Sequence, residues 1–216
     1  MSVLDLHVLR NTPLIRDPFD FVIVPGFIKR GALPALMADY PAVSTPGSVP
    51  LSQLRYGDAF AELVAELEGP EFRAAVEDKL NVALDGRPTM ITARGRCRAK
   101  DGKVHTDSVT KIVTVLIYMN PAWGESGGRL RLLRSPDLED MVAEVPPDAG
   151  TLLLFRRADN SWHGHHPFQG TRRALQMNWV TDAAVVEREL ARHSLTARLK
   201  RMNPFARRAQ SAGSAS

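Results

Sequence analysis

Two short stretches carry the residue types of a metal centre. In KVHTDS, His105 and Asp107 stand two apart, so on an extended strand an imidazole and a carboxylate leave the same face while Thr106 points away. Such a pair becomes a site only when another segment adds a third ligand. SWHGHHPFQGTRR offers His163, His165 and His166, just after the apolar run GTLLLF and ahead of a glycine turn. Two imidazoles and a carboxylate take one face of an octahedral Fe(II) and leave the opposite positions open, which oxygen chemistry requires. The single cysteine, Cys97, excludes a thiolate cluster and an intrachain disulfide.

A co-substrate that chelates such a metal and ends in a second carboxylate needs a cation deeper in the fold, and the planar fork of arginine suits it. Arg172 and Arg173 follow Gly170 in the right order, and the Tyr118 hydroxyl, inside the apolar KIVTVLIYMN, could share that carboxylate. Arg94, Arg96 and Arg98 alternate in RGRCR. On a regular strand all three face one side, either as a solvated face or as a patch that grips an acidic substrate. Lys111 and Arg131 are weaker candidates of the same kind. Trp123 and Trp162 read as packing residues, and Trp162 beside the histidines could line a substrate mouth.

The elements that must position these groups are mainly strands. MITARGRCR, KVHTD, KIVTVLIYMN, GGRLRLL, GTLLLF and RRALQMNWV follow one another from Met90 onward, separated by Gly and Pro punctuation and with no helices between them. That spacing argues for a sandwich or barrel. Before them, DFVIVPGF reads as a strand closed by a turn, KRGALPALMADY as a helix and YPAVSTPGSVPLSQ as a loop. Asp58 is expected to cap a helix with Phe60, Leu63, Val64 and Leu67 on one face, and a second helix after Gly69-Pro70 repeats this with Phe72, Val76 and Leu80.

With 216 residues, 44% of them apolar, the chain can fill one domain with appendages. The net charge of +4 belongs to the tail: from Ala183 onward seven Lys and Arg face two Glu, so everything earlier sums to −1. Residues 183–205 read as a basic amphipathic helix that docks on the domain or touches an anionic membrane, and the end has a disordered composition. No nucleic-acid motif accompanies the charge. Neither a signal peptide nor a membrane-spanning run is seen, which makes the expected address cytoplasmic.

From Arg94 to Trp179, in HTD, TVLIYMNPAW, SGGRLRLL, PPDAGTLLLF and WHGHHPFQGTRRALQMNW, the sequence resembles the prolyl 4-hydroxylase-like branch of the iron(II) and 2-oxoglutarate dependent dioxygenases. In that family a proline follows the distal metal histidine by four positions. Pro167 favours His163 over His165, which is then a group facing the substrate or supporting the metal, or the ligand itself if the register differs. The family's carboxylate-binding cation comes nine or ten positions after the histidine and six before a tryptophan. Arg173 and Trp179 fit both spacings, Arg172 only the shorter one. Tyr118 matches the tyrosine that shares the carboxylate.

The resemblance implies a mainly β fold, a double-stranded β-helix over about 90–181, with N-terminal supporting helices, in a domain spanning 1–182 followed by the basic tail, 183–216. It implies Fe(II) on His105, Asp107 and His163, 2-oxoglutarate and O2 as co-substrates, with ascorbate as a further reductant. The expected reaction is hydroxylation of an unactivated C–H bond coupled to decarboxylation to succinate and CO2. Peptidyl proline, a small metabolite, a sugar and a lipid-linked glycan are all open as substrates. An iron- or oxygen-sensing protein that keeps the triad without turnover is the alternative of a different class. A metal-dependent isomerase or hydrolase would need neither Arg173 nor Tyr118.

Overall fold

A computed structural model describes residues 2–191. Its helices are α1 (Leu6–Asn11), α2 (Leu33–Ala38), α3 (Asp58–Glu68) and α4 (Pro70–Leu80). Its strands are β1 (Phe21–Val24), β2 (Val49–Pro50), β3 (Thr89–Cys97), β4 (Lys111–Tyr118), β5 (Leu130–Leu133), β6 (Met141–Val145), β7 (Leu152–Arg156), β8 (His163–Gly164) and β9 (Gly170–Val180). Six strands form one antiparallel sheet in the order β1-β7-β4-β9-β3-β2, and β6-β5-β8 form a smaller one.

Alternation along the strands assigns the two faces of the large sheet. Val113, Val115 and Ile117 of β4, Leu152 and Leu154 of β7, and Leu175, Met177 and Trp179 of β9 pack with Phe60, Leu63 and Leu67 of α3 and Phe72 and Val76 of α4. The residues between them turn to the other side, where Tyr118, Leu153, Phe155 and Ala174 meet Leu130, Leu132 and Val145 of the small sheet. Helices therefore cover one face and the small sheet the other. The space between the sheets is the cleft. This is the expected jelly-roll arrangement with N-terminal helical support.

Several local expectations are corrected. The carboxylate that caps α3 is not Asp58 but Asp39, which accepts from the Ala59 N–H at 2.8 Å. Asp39 reaches there because Gly57 precedes the helix: a Cβ on Gly57 would lie 2.2 Å from the Asp39 Cγ. The helix expected over KRGALPALMADY shortens to a turn at Arg30–Ala32 followed by α2. KVHTD is not a strand. His105 makes a single antiparallel bridge to His163, and the chain on either side is irregular.

RGRCR does not present three arginines on one face, because a bulge in the β3–β9 register falls between Arg94 and Arg96. Arg94 faces the cleft, Arg96 is exposed, and Arg98 lies past the end of β3, where it pairs with Asp101 at 2.9 Å. Residues 183–191 are helical and Val185 is buried, so the first turns of the basic segment dock on the domain. The remainder of that expected helix and the end beyond it lie outside the described residues. No described helix is long and apolar enough to cross a membrane.

Candidate functional site

The His105–His163 bridge is made by two backbone hydrogen bonds, 3.0 Å and 2.9 Å, which set the two imidazoles opposite each other with ring centroids 4.4 Å apart. Each Nδ1 lies 2.9 Å from a backbone carbonyl, that of Lys103 for His105 and of Ser161 for His163. A carbonyl only accepts, so each Nδ1 carries the hydrogen and each Nε2 presents its lone pair. Asp107 completes the group, and one candidate ligand atom from each of the three residues lies within 4.8 Å of the others. Burial pushes the His163 imidazole down to about 4, so it is neutral and ready to ligate at neutral pH.

Asp107 is held by a polarised chain of donors. Gln176 Nε2 donates to Asn178 Oδ1 at 3.0 Å, Asn178 Nδ2 to Thr114 Oγ1 at 2.7 Å, and Thr114 Oγ1 to Asp107 Oδ2 at 2.5 Å. Lys111 Nζ donates to the other carboxylate oxygen at 2.6 Å. Burial alone would raise the Asp107 carboxyl; the charges of Lys111 and His163 and the two hydrogen bonds outweigh it and hold the group below the usual carboxylate range. The chain follows from register. Thr114 and Asn178 are paired across β4 and β9, and Gln176 is the next residue on the same face.

Beside the metal group lies a cavity of about 130 Å³ lined by His105, His163, His165, Arg94, Arg172 and Gln176, with Leu116 and Leu130 as apolar walls. Arg172 reaches into it, 5% exposed. Its Nε donates to the Gly128 carbonyl at 2.7 Å and its Nη2 to the Tyr118 hydroxyl at 3.3 Å. Both partners are neutral, and no carboxylate pairs with Arg172 among the described residues. A buried guanidinium without a counter-ion is costly unless a ligand supplies one.

Of the two arginines, Arg172 and not the expected Arg173 faces the cavity. Arg173 shares strand parity with Leu175, Met177 and Trp179, and its guanidinium lies on the helical side, 5.6 Å from the centre of the Tyr40 ring. Tyr118 is where it was expected, fully buried, its hydroxyl beside Arg172.

His165 is not among the metal group. It lines the cavity, its Nδ1 donates to the His166 carbonyl at 2.8 Å, and burial together with the Arg172 charge pushes it down to about 4. His166 points away and meets Glu139 at 3.2 Å. Lys111 proves to be a partner of Asp107, while Arg131 pairs with Glu139 and Glu144 outside the cleft. Thr114, Gln176 and Asn178 were missed in the sequence, although their parity with Ala174 placed them on the cleft face.

A second cavity, about 420 Å³, opens on the other side of His105 and Asp107 and shares Ser48, Thr92 and His105 with the first. A larger hollow of about 510 Å³, between the N-terminal segment and α3 and α4, has no histidine or arginine in its wall.

Residues 95–181 match the family model of the 2OG-Fe(II) oxygenase superfamily, a span that contains the whole triad, Tyr118 and Arg172. No curated protein matches the sequence. Among solved structures, a prolyl-4-hydroxylase of Pseudomonas putida is 17% identical, with a TM-score of 0.56 over 82% of this chain and 94% of that one. A prolyl 4-hydroxylase of Phytophthora capsici is 21% identical, with a TM-score of 0.55 over 86% of this chain and 68% of that one. A prolyl hydroxylase of Trichoplax adhaerens, solved with a hypoxia inducible factor peptide, is 18% identical, with a TM-score of 0.50 over 86% and 91%. At these identities the likeness is one of fold. The stretch that presents this triad beside an open cavity is thus similar to the 2OG-Fe(II) oxygenase superfamily, and the site is that of a dioxygenase that uses Fe(II), 2-oxoglutarate and O2.

Proposed function

We propose that this dioxygenase hydroxylates an unactivated C–H bond of a substrate seated in the outer cavity. The observation that carries the reading is the pairing of a three-ligand metal group with a buried, uncompensated guanidinium in one small cavity. His105, Asp107 and His163 would hold the metal. Arg172, supported by Tyr118, would take the distal carboxylate of 2-oxoglutarate and so aim its other end at the metal. When bound, Fe(II) with 2-oxoglutarate and O2 supplies the oxidising power: one oxygen atom goes into the C–H bond and the other into succinate, and CO2 leaves.

The chain's own part is positional. Leu116 and Leu130 form an apolar part of the inner cavity's wall, and Asp107, His163 and Arg172 are buried, so charged contacts there are strong. Thr114 and Lys111 fix the rotamer of Asp107, and the carbonyls of Lys103 and Ser161 fix the two imidazole tautomers. Peptide hydroxylation, for which the Trichoplax prolyl hydroxylase solved with a peptide fragment is a fold-level analogy, and small-molecule or glycan hydroxylation both fit this machinery.

The test is an anaerobic titration of the metal-free chain with Fe(II) and then 2-oxoglutarate, following the visible charge-transfer band. A band in wild type and in His165→Ala, absent in His163→Ala, is expected. Its absence from folded, iron-loaded wild type would remove the 2-oxoglutarate role.

A further inference from the structure

We propose that the oxidised substrate is a small anionic molecule whose carboxylate or phosphate group is held by Arg94. This rests on the assignment of Arg172 to 2-oxoglutarate.

Among the described residues, the inner cavity is walled by two arginines and three histidines and by no Asp or Glu. The fixed charges that face this space are therefore the two guanidiniums. One of them, Arg172, is matched by the distal carboxylate of the co-substrate, and the other end of the co-substrate belongs to the metal. Arg94 is left over.

Its one carboxylate partner among the described residues is shared with Arg98. Asp101 is 3.9 Å away, and that carboxylate is already held by the Arg98 guanidinium and backbone N–H, each at 2.9 Å. The other partners of Arg94 are the Ser48 hydroxyl at 3.3 Å and the Cys97 sulfur at 3.6 Å, neither of them a carboxylate. A guanidinium has five donors in a planar fork, and these contacts leave it able to accept an oxyanion.

Its location separates it from the co-substrate path. Arg94 pairs across the sheet with Ala174, whose small side chain lies between it and Tyr118 on the cleft face. β3 is next to the short edge strand β2, so Arg94 flanks the line from Arg172 to the metal on the side of the sheet edge. Ser48, its hydrogen-bond partner, also lines the outer cavity. An anion on Arg94 would place the rest of its molecule in that outer space, against Met90 and Val180 and the hydroxyls of Thr92 and Thr110, next to His105 and Asp107. At about 420 Å³ that space is sized for a small molecule.

The experiment uses the full chain loaded with Fe(II) and saturated with 2-oxoglutarate without oxygen. The probes are N-acetyl-L-proline and N-acetyl-L-leucine against their amides, and glycerol phosphate against glycerol, with binding read by calorimetry and thermal shift. At least one anion is expected to bind about tenfold or more tighter than its neutral counterpart. Acid or phosphate hits then identify which oxyanion is preferred. Arg94→Gln should erase the preference and change 2-oxoglutarate affinity less than about twofold, while Arg94→Lys should keep part of the preference.

Equal binding of anions and neutral partners, no binding of any anion, or a loss of 2-oxoglutarate affinity in Arg94→Gln would each overturn the proposal. Failure of the underlying co-substrate reading is distinguishable without these probes, since Arg172→Ala would then bind 2-oxoglutarate normally.

Discussion

Substituting Arg172 and Arg173 separately gives the sharpest test of the cleft, because the two side chains are adjacent in sequence and on opposite faces of β9. Arg172 is 5% exposed and, besides lying over the Tyr118 ring, hydrogen-bonds a carbonyl and a hydroxyl, so a ligand carboxylate meeting it would form a desolvated, charge-assisted pair. Truncating one partner of such a pair costs about 2 to 5 kcal/mol. At about 1.4 kcal/mol per tenfold, Arg172→Ala should weaken 2-oxoglutarate roughly 30-fold to several thousandfold. Arg173 makes one cation–π contact to Tyr40, and its loss should leave 2-oxoglutarate affinity within about twofold and cost stability about 0.5 to 1 kcal/mol. Anaerobic titration monitored by the charge-transfer band measures both. A companion measurement uses the ligand-free protein: Arg172→Met removes an uncompensated buried cation, so its Tm should equal or exceed that of wild type. A nearly unchanged affinity in Arg172→Ala, or an equal loss in Arg173→Ala, would refute the reasoning.

Thr114→Val keeps the shape but ends the donor chain to Asp107, and metal affinity measured by competitive chelation should fall about 10- to 100-fold, with a smaller effect from Gln176→Ala at the far end. The pH dependence of metal-free stability follows from His163 and His165, whose values fall from about 6.5 unfolded to about 4 folded. Between those values the unfolded chain binds more protons, so stability falls as pH drops from about 6.5 to about 4, by up to about 3 kcal/mol per histidine. Chemical denaturation across that range measures it, and His165→Gln should remove about half the slope. Gly57→Ala would drive a Cβ into the Asp39 carboxylate that caps α3, and a loss of about 1 to 2 kcal/mol should appear in thermal melts with metal binding unchanged.

The metal ligands were legible because their signal is chemical type at close sequence spacing, and the protein brings them together by the one bridge between His105 and His163. The reason first given for His105 and Asp107, shared strand parity, was nevertheless wrong, since that segment is irregular. Arg173 was expected in the cleft, where the structure places Arg172, because spacing was weighted above alternation. Leu175, Met177 and Trp179 already marked the odd positions of β9 as the apolar, helix-covered face, which leaves the even positions, Arg172 among them, for the cleft. The same count would have found Gln176 and Asn178. What no local pattern could supply is the bulge that separates Arg94 from Arg96, or the reach of Asp39 across 20 residues to cap α3, because both depend on the partner segment.

Strand parity also explains how one short stretch serves two purposes. In RRALQMNWV the odd side chains build the floor on which α3 and α4 rest, and the even ones build the cleft: Arg172 for an anion, Ala174 for space, and Gln176 and Asn178 for the chain that steadies Asp107. A slip of β9 by one residue would put Leu175 and Met177 into the cleft and both Arg172 and Asn178 against the helices. The packing that stabilises the domain therefore also fixes the register of the site. Substitutions at Leu175 or Met177 should accordingly disturb metal and 2-oxoglutarate binding in proportion to their effect on stability, although neither side chain faces the cleft.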